Sequence, residues 1–172
     1  VYIDALLRRE PQVRGLVTAT RGNHGQSLAL AARAAGLAIR ILVPHGNARE
    51  KNAAMRALGA EVIEHGRDFD EARAEAARLA ERDGLHWVPS LHADLVRGVA
   101  TYALELLEAV PNLRRVYVPI GLGSGICGMI RTRNLLGLDT EIVGVVASGA
   151  DAYAQSFEQG RLVQTERADT LA

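Results

Sequence analysis

Leu16-Val17-Thr18-Ala19-Thr20-Arg21-Gly22-Asn23-His24-Gly25-Gln26 passes from a short β-branched run, through a loop of small and amide-bearing residues, into an alanine-rich segment. The run Leu16–Thr20 predicts a strand, and the segment Gly25–Ala35 predicts a helix. The same alternation continues along the chain. Further strands are predicted over Ala38–Val43, Glu61–Glu64, His86–Pro89, Arg114–Pro119 and Glu141–Val146. Helices are predicted over Ala48–Leu58, Phe69–Asp83, Leu95–Val110, Ile126–Leu136 and Ala150–Glu158. Strand and helix in alternation, with several strands apolar on both faces, indicate an α/β fold of parallel sheets with flanking helices. Gly36, Gly59, Gly84 and Gly137 each follow a helical run, where glycine can close the helix in the left-handed conformation.

Three strand–helix units fill the first half, and a long helix from Leu95 separates them from two more. That pattern predicts two lobes with a boundary within His92–Val99. The opening, Val1-Tyr2-Ile3-Asp4, reads as the inside of a helix, so the chain is expected to be a piece of a longer one. Residues 162–172 are expected to lead into a further strand.

Twenty basic residues balance twenty acidic ones, and no basic run occurs, so neither nucleic acid nor an anionic membrane is an expected partner. The longest uncharged run, Val116–Ile130, is too short to span a bilayer and is broken by glycines. Cys127 is the single cysteine, which rules out an internal disulfide. The opening lacks the basic start and apolar stretch of a signal peptide, and a cytoplasmic location is expected.

Two loops could carry chemistry. Thr20-Arg21-Gly22-Asn23-His24-Gly25-Gln26 follows a predicted strand, at the edge of a parallel sheet where ligands bind in open α/β folds. The unpaired amides that open the next helix could hold a carboxylate or phosphate, with Thr20 and Asn23 adding polar side chains. The same residues also read as an ordinary N-cap, with Asn23 capping and glycines making the turn. Pro119-Ile120-Gly121-Leu122-Gly123-Ser124-Gly125-Ile126-Cys127-Gly128 likewise joins a strand to a helix, and its bare amides suit a phosphate. Gly123, Gly125 and Gly128 satisfy the spacing of a dinucleotide fingerprint. The following strand ends Val145-Val146-Ala147-Ser148, however, with no acid for a ribose and no arginine for a 2′-phosphate.

The order of motifs resembles the fold-type-II pyridoxal-phosphate enzymes, in particular the threonine dehydratase (threonine ammonia-lyase) and serine racemase branch. Their asparagine loop, Ser-x-Gly-Asn-His-x-Gln, is similar to Thr20–Gln26, and their tetraglycine loop to Gly121–Gly125. Lys51 through Arg56-Ala57-Leu58-Gly59-Ala60-Glu61-Val62 matches a further family stretch. The resemblance implies a two-lobed, tryptophan-synthase-β-like architecture truncated at both ends. Residues 16–94 would form the small lobe, and residues 1–15 and 95–172 parts of the large one. Both loops would lie at a cleft between the lobes.

It also implies pyridoxal 5′-phosphate as cofactor, with Asn23 bonded to its phenolic oxygen and Gly121, Leu122, Gly123, Ser124 and Gly125 around its phosphate. Thr20, Arg21, Gly22, Asn23 and His24 would form the substrate loop, with Thr20, Gly22 and His24 around the carboxylate. The implied reaction is α,β-elimination from L-threonine or L-serine by a full-length parent, which would be a homo-oligomer acting on a small amino acid. A 3-hydroxyaspartate dehydratase, a racemase, or a non-catalytic module that binds phosphate or carboxylate are the alternatives.

Departures from the family pattern sharpen these expectations. The lysine that carries the cofactor lies upstream of Val1 in the family, so no catalytic residue is expected within this chain. Lys51 is the only lysine, and Arg49-Glu50-Lys51-Asn52 reads as a solvated, ion-pairing helix face. Arg21 stands where racemases carry a serine, and a guanidinium stays protonated and cannot act as their second base. Val146 and Ala152 fall where racemases hold a divalent cation, and neither ligates a hard metal. Leu122 and Ser124 interrupt the run of glycines. His45, His65, His86 and His92 read as loop or surface residues, Cys127 as a small packed side chain, and Trp87 as core.

Overall fold

Gly15–Ala19 (β1) is buried along its whole length, as a central strand must be where helices cover both faces of a parallel sheet. In the computed structural model, which describes residues 1–165 and 170, it pairs in parallel with Ala38–Val43 (β2) and with His86–Trp87 (β4). Glu61–Glu64 (β3) extends the sheet beyond β2, giving the order β3-β2-β1-β4. The strand β4 stops short of the expected Pro89. Val88 still donates to Val17 O at 2.9 Å, but its own carbonyl accepts from the Thr18 side chain at 2.9 Å.

Alternation along β1 sends its side chains to two faces. Val17 and Ala19, with Leu42 of β2, pack against Ala72, Ala76 and Leu79 of Phe69–Asp83 (α4). Those three recur at helical spacing, which is why this polar, charged helix still buries one stripe. Asp68 caps its start by accepting from Glu71 N at 2.9 Å, and Gly84 ends it in the left-handed conformation. The other face meets Asn23–Ala34 (α2), which buries Gly25, Leu28, Ala29 and Ala32, and Arg49–Ala57 (α3), which buries Met55. Tyr2–Arg9 (α1) belongs to this unit as well, and the Tyr2 hydroxyl lies 3.0 Å from His86 Nε2. Trp87 is half-buried against the α4 face.

The chain divides between Ser90 and Leu91, just ahead of the His92–Val99 window. In the second unit, Ala93–Ala109 (α5) begins earlier than Leu95 because the His92 side chain caps Asp94 N at 3.1 Å. Arg115–Pro119 (β5) and Glu141–Val145 (β6) pair in parallel. Ser124–Leu135 (α6) lies between them in sequence, and Ala152–Gln159 (α7) follows. Ala103, Leu107, Val118 and Met129 form the core of this unit. A Cβ on Gly128 would lie 3.2 Å from the Ala100 backbone, so Gly128 lets α6 approach α5 closely. Cys127, on another face of α6, is exposed rather than packed. Residues 166–169 and 171–172, within the segment expected to lead toward another strand, lie outside the described residues. Among the described residues no helix is long and apolar enough to cross a membrane.

Candidate functional site

The asparagine loop leaves the carboxyl end of β1. Thr20 is buried, and its Oγ1 accepts from Gly22 N at 3.0 Å. Gly22 rather than Asn23 is the N-cap of α2, and no side chain caps that helix. The amides of Gly25 and Gln26 both bond to Gly22 O. The amides of Asn23 and His24 therefore open the helix uncapped, and the exposed Asn23 side chain is not spent on capping. Such a start leaves two backbone donors without an acceptor in the helix. Arg21 is exposed beside it.

His24 turns its ring the other way, toward the sheet. Thr18 Oγ1 donates to Val88 O at 2.9 Å and is left to accept from His24 Nε2 at 3.2 Å. That chain fixes the Nε2–H tautomer. Burial pushes the His24 pKa from its ordinary 6.5 down to about 4, because desolvation disfavours the imidazolium. At neutral pH the ring is an uncharged structural donor, so His24 offers the loop its amide rather than a cation.

A pH dependence follows. The folded value lies below the unfolded one, so the folded state binds fewer protons in between. Stability is fully present above about pH 6.5 and is lost as pH falls toward about 4, by roughly 1–3 kcal/mol from this group. In His24→Gln the amide can still donate to Thr18 without titrating. Its denaturation midpoints should fall less steeply over that range than those of the wild type. Parallel curves would remove His24 as the cause.

Lys51 contradicts its expected role. The side chain is half-buried, and a Cβ built on Gly22 would lie 3.3 Å from its Cδ and 3.7 Å from its Nζ. Among the described residues no acidic group pairs with it. Packing of α3 beside α2 brings its ammonium over the asparagine loop.

In the second unit, the glycine loop leaves the carboxyl end of β5. Gly123, at φ 95°, is the N-cap of α6, again with no side-chain cap. The first bond of that helix start runs from Cys127 N to Gly123 O at 3.0 Å. The amides of Ser124, Gly125 and Ile126 thus have no acceptor within the helix. Nothing lies within 4 Å of a Cβ placed on Gly121. Leu122 is exposed, and its carbonyl accepts from the Tyr153 hydroxyl at 3.1 Å. Gly125 O accepts from the Tyr102 hydroxyl, also at 3.1 Å. Gly128, the third glycine of the dinucleotide spacing, is accounted for by its contact with Ala100. A cavity lined by Leu107, Asn112, Arg114, Leu138 and Thr140 opens at the other end of β5, away from this loop.

Sequence reasoning missed Thr18, Tyr102 and Tyr153, and it placed Lys51 in solvent. Each lies on a strand or helix and meets its loop only through packing, so no local pattern marks it.

The family profile described as pyridoxal-phosphate dependent enzyme matches residues 1–172. The chain is 33% identical over 167 residues to threonine dehydratase 2 biosynthetic, chloroplastic, of Solanum lycopersicum, covering 96% of this chain and 28% of that protein. It is 35% identical over 167 residues to the biosynthetic L-threonine dehydratase of Salmonella typhimurium, covering 96% and 32%. The chain thus spans less than a third of the length of either relative. Among solved structures, a pyridoxal 5′-phosphate-dependent aspartate racemase is similar with a TM-score of 0.87 and 29% identity, over 96% of this chain and 50% of that one. The profile match runs the full length of the chain, through both uncapped helix starts, and the chain belongs to the family of pyridoxal-phosphate dependent enzymes.

Proposed function

We propose that the full-length parent eliminates water from L-threonine or L-serine, after which hydrolysis gives a 2-oxo acid and ammonia. The observation that carries this reading is the uncapped start of α2, with Asn23 exposed on it and Thr20 holding the turn. The cofactor's phosphate fits the glycine loop, where the amides of Ser124, Gly125 and Ile126 are unclaimed and Gly121 leaves open space. When bound, pyridoxal phosphate draws electron density from the substrate's Cα into its ring.

The residues of this chain bind and orient. The amides of Asn23 and His24 receive the substrate carboxylate, and the Lys51 ammonium supplies a positive charge beside Gly22. The Asn23 side chain donates to the cofactor's phenolic oxygen. Thr20 fixes Gly22, and through it the direction of the amides that follow. In the parent, residues 16–94 are assigned to the small lobe, with which α1 groups, and residues 95–172 to the large one. The location is assigned to the cytoplasm and the assembly to a homo-oligomer. Release of 2-oxo acid and ammonia from L-threonine by the parent tests the reading. Absence of both with threonine and serine alike overturns it.

The lysine that attaches the cofactor is assigned to a position outside residues 1–172. A pyridoxal phosphate titration of these residues alone should therefore give no stoichiometric long-wavelength absorbance. A band that appears and is lost in Lys51→Ala would overturn the assignment.

The exposed Arg21 at the same loop favours a second reading, a 3-hydroxyaspartate substrate. A guanidinium suits bidentate recognition of a second carboxylate, worth about 1.5–3 kcal/mol, or roughly tenfold to a hundredfold in preference. Under this reading Arg21→Ala lowers kcat/KM for 3-hydroxyaspartate by that factor and spares threonine. An unchanged preference leaves Arg21 as a surface residue.

A further inference from the structure

The glycine loop poses a physical problem. An anion site gains from amides fixed in place, yet glycines give the backbone more freedom than any other residue. Gly121 has no neighbour at its Cβ position, and Leu122 is exposed. Packing against side chains therefore does little to hold the loop.

Two phenols approach it from different helices. The Tyr102 hydroxyl, from α5, donates to Gly125 O, and the Tyr153 hydroxyl, from α7, donates to Leu122 O, each at 3.1 Å. Both tyrosines are substantially exposed, at 39% and 44%, so ring burial contributes only part of what they do. In a trans peptide the C=O and the following N–H point in opposite directions. Fixing Leu122 O therefore aims Gly123 N–H away from Tyr153, while Gly125 O, on the first turn of α6, takes Tyr102 as a further donor that ties that turn to α5. The ring oxygens also lie close to the loop's two inner glycines. A Cβ on Gly123 would be 3.6 Å from the Tyr153 hydroxyl, and one on Gly125 would be 3.8 Å from that of Tyr102.

We propose that Tyr102 and Tyr153 are positioning residues of the phosphate cradle, whose hydroxyls tie loop carbonyls outward so that the amides stay presented to a phosphate. The inference rests on the reading of Gly121–Gly125 as that cradle. It goes beyond it by assigning the loop's rigidity to two side chains on α5 and α7.

The test compares two probes on the full-length parent, pyridoxal phosphate and pyridoxal, which differ only in the phosphate. Dissociation constants from absorbance or equilibrium dialysis are measured for wild type, Tyr102→Phe, Tyr153→Phe and the double variant. Each Phe variant keeps the ring and loses only the hydroxyl. The preference for pyridoxal phosphate over pyridoxal should fall about fivefold to tenfold in each single variant and further in the double one. Pyridoxal affinity should stay within about twofold, and the phosphorus NMR line of the bound cofactor should broaden or shift. Taking the ratio of the two affinities cancels any loss of folded protein. A wild-type ratio near one would overturn the cradle itself. A clear wild-type preference that survives in the double variant would overturn the role of the tyrosines while leaving the cradle intact.

Discussion

Gly25→Ala is expected to lower the melting temperature of the full-length parent by about 2–10 °C and its kcat/KM for L-threonine by about a hundredfold or more. One added carbon has nowhere to go. A Cβ at Gly25 would lie 2.5 Å from Met55 Sδ, 2.5 Å from Thr20 Cγ2 and 3.3 Å from Ile41 Cγ2. Met55 and Ile41 are fully buried and Thr20 nearly so, so none of the three can swing into solvent. Forcing an extra methyl into such packing costs about 1–3 kcal/mol. The functional loss should be larger than the stability loss. Thr20 Oγ1 holds Gly22 N at 3.0 Å, and Gly22 caps the helix whose amides are assigned to the carboxylate. A shift of about 1 Å there is enough for a hundredfold loss of rate.

Gly36→Ala separates this mechanism from a general intolerance of alanine. Gly36 lies past the end of α2 at φ 68° with open space at its Cβ. Alanine there meets backbone strain of about 1–2 kcal/mol but no clash, and it lies at the opposite end of α2 from the loop. It should lower the melting temperature modestly and leave kcat/KM for threonine within about twofold. A Gly25→Ala enzyme that melts and turns over like the wild type would show that α2 does not seat against Met55 and Thr20 in this way.

The contrast also shows what could be read from the sequence. The strands β2 and β3 and the helix α4 have the bounds that their residues predict, because apolar alternation and the Asp68 and Gly84 caps are local signals. Most other elements shift by one or two residues at an end: β1 runs Gly15–Ala19 rather than Leu16–Thr20, and α2 starts at Asn23 rather than Gly25. At β4 the Thr18 hydroxyl occupies the Val88 carbonyl, and at α5 the His92 cap sets the earlier start. Both loops were legible as motifs, since glycines and an asparagine between strand and helix leave a local mark. Their surroundings were not. The tautomer of His24 depends on Thr18 and, through it, on Val88 across the sheet. Cys127 reads as packed because cysteine is a small, commonly buried side chain, yet α6 turns Gly128 and Met129 inward and leaves Cys127 outside. Alanine-rich helices with short charged patches do not reveal which residue faces a neighbouring loop.

Lys51 is where that gap matters most for function, and Lys51→Gln is expected to raise KM for L-threonine about tenfold to a hundredfold while kcat changes less than about threefold. In sequence, Glu50 and Arg49 beside it suggest a solvated pair. In the fold, Lys51 lies along Gly22 with no acidic partner among the described residues. An ammonium held near a helix start that already favours anions adds a charge-assisted bond to a carboxylate, worth about 1.5–3 kcal/mol. The substrate carboxylate is present before and after the bond changes. Its partner therefore stabilises ground and transition states alike, and its loss appears in KM. Glutamine keeps most of the stem and the polar end but removes the charge. Lys51→Arg keeps the charge in a bulkier head, so it should recover part of the affinity. Adding salt should weaken wild-type binding more than that of Lys51→Gln, since only the former has the charge to screen. The distance to Gly22 supplies a second check. Gly22→Ala meets only the flexible stem of Lys51, at 3.3 Å from Cδ, so it should displace the ammonium without the core damage of Gly25→Ala. Raised KM with an unchanged melting temperature in Gly22→Ala, matched by Lys51→Gln, would tie the two residues to one carboxylate. Wild-type KM in both would return Lys51 to the solvated surface that its sequence neighbours suggest.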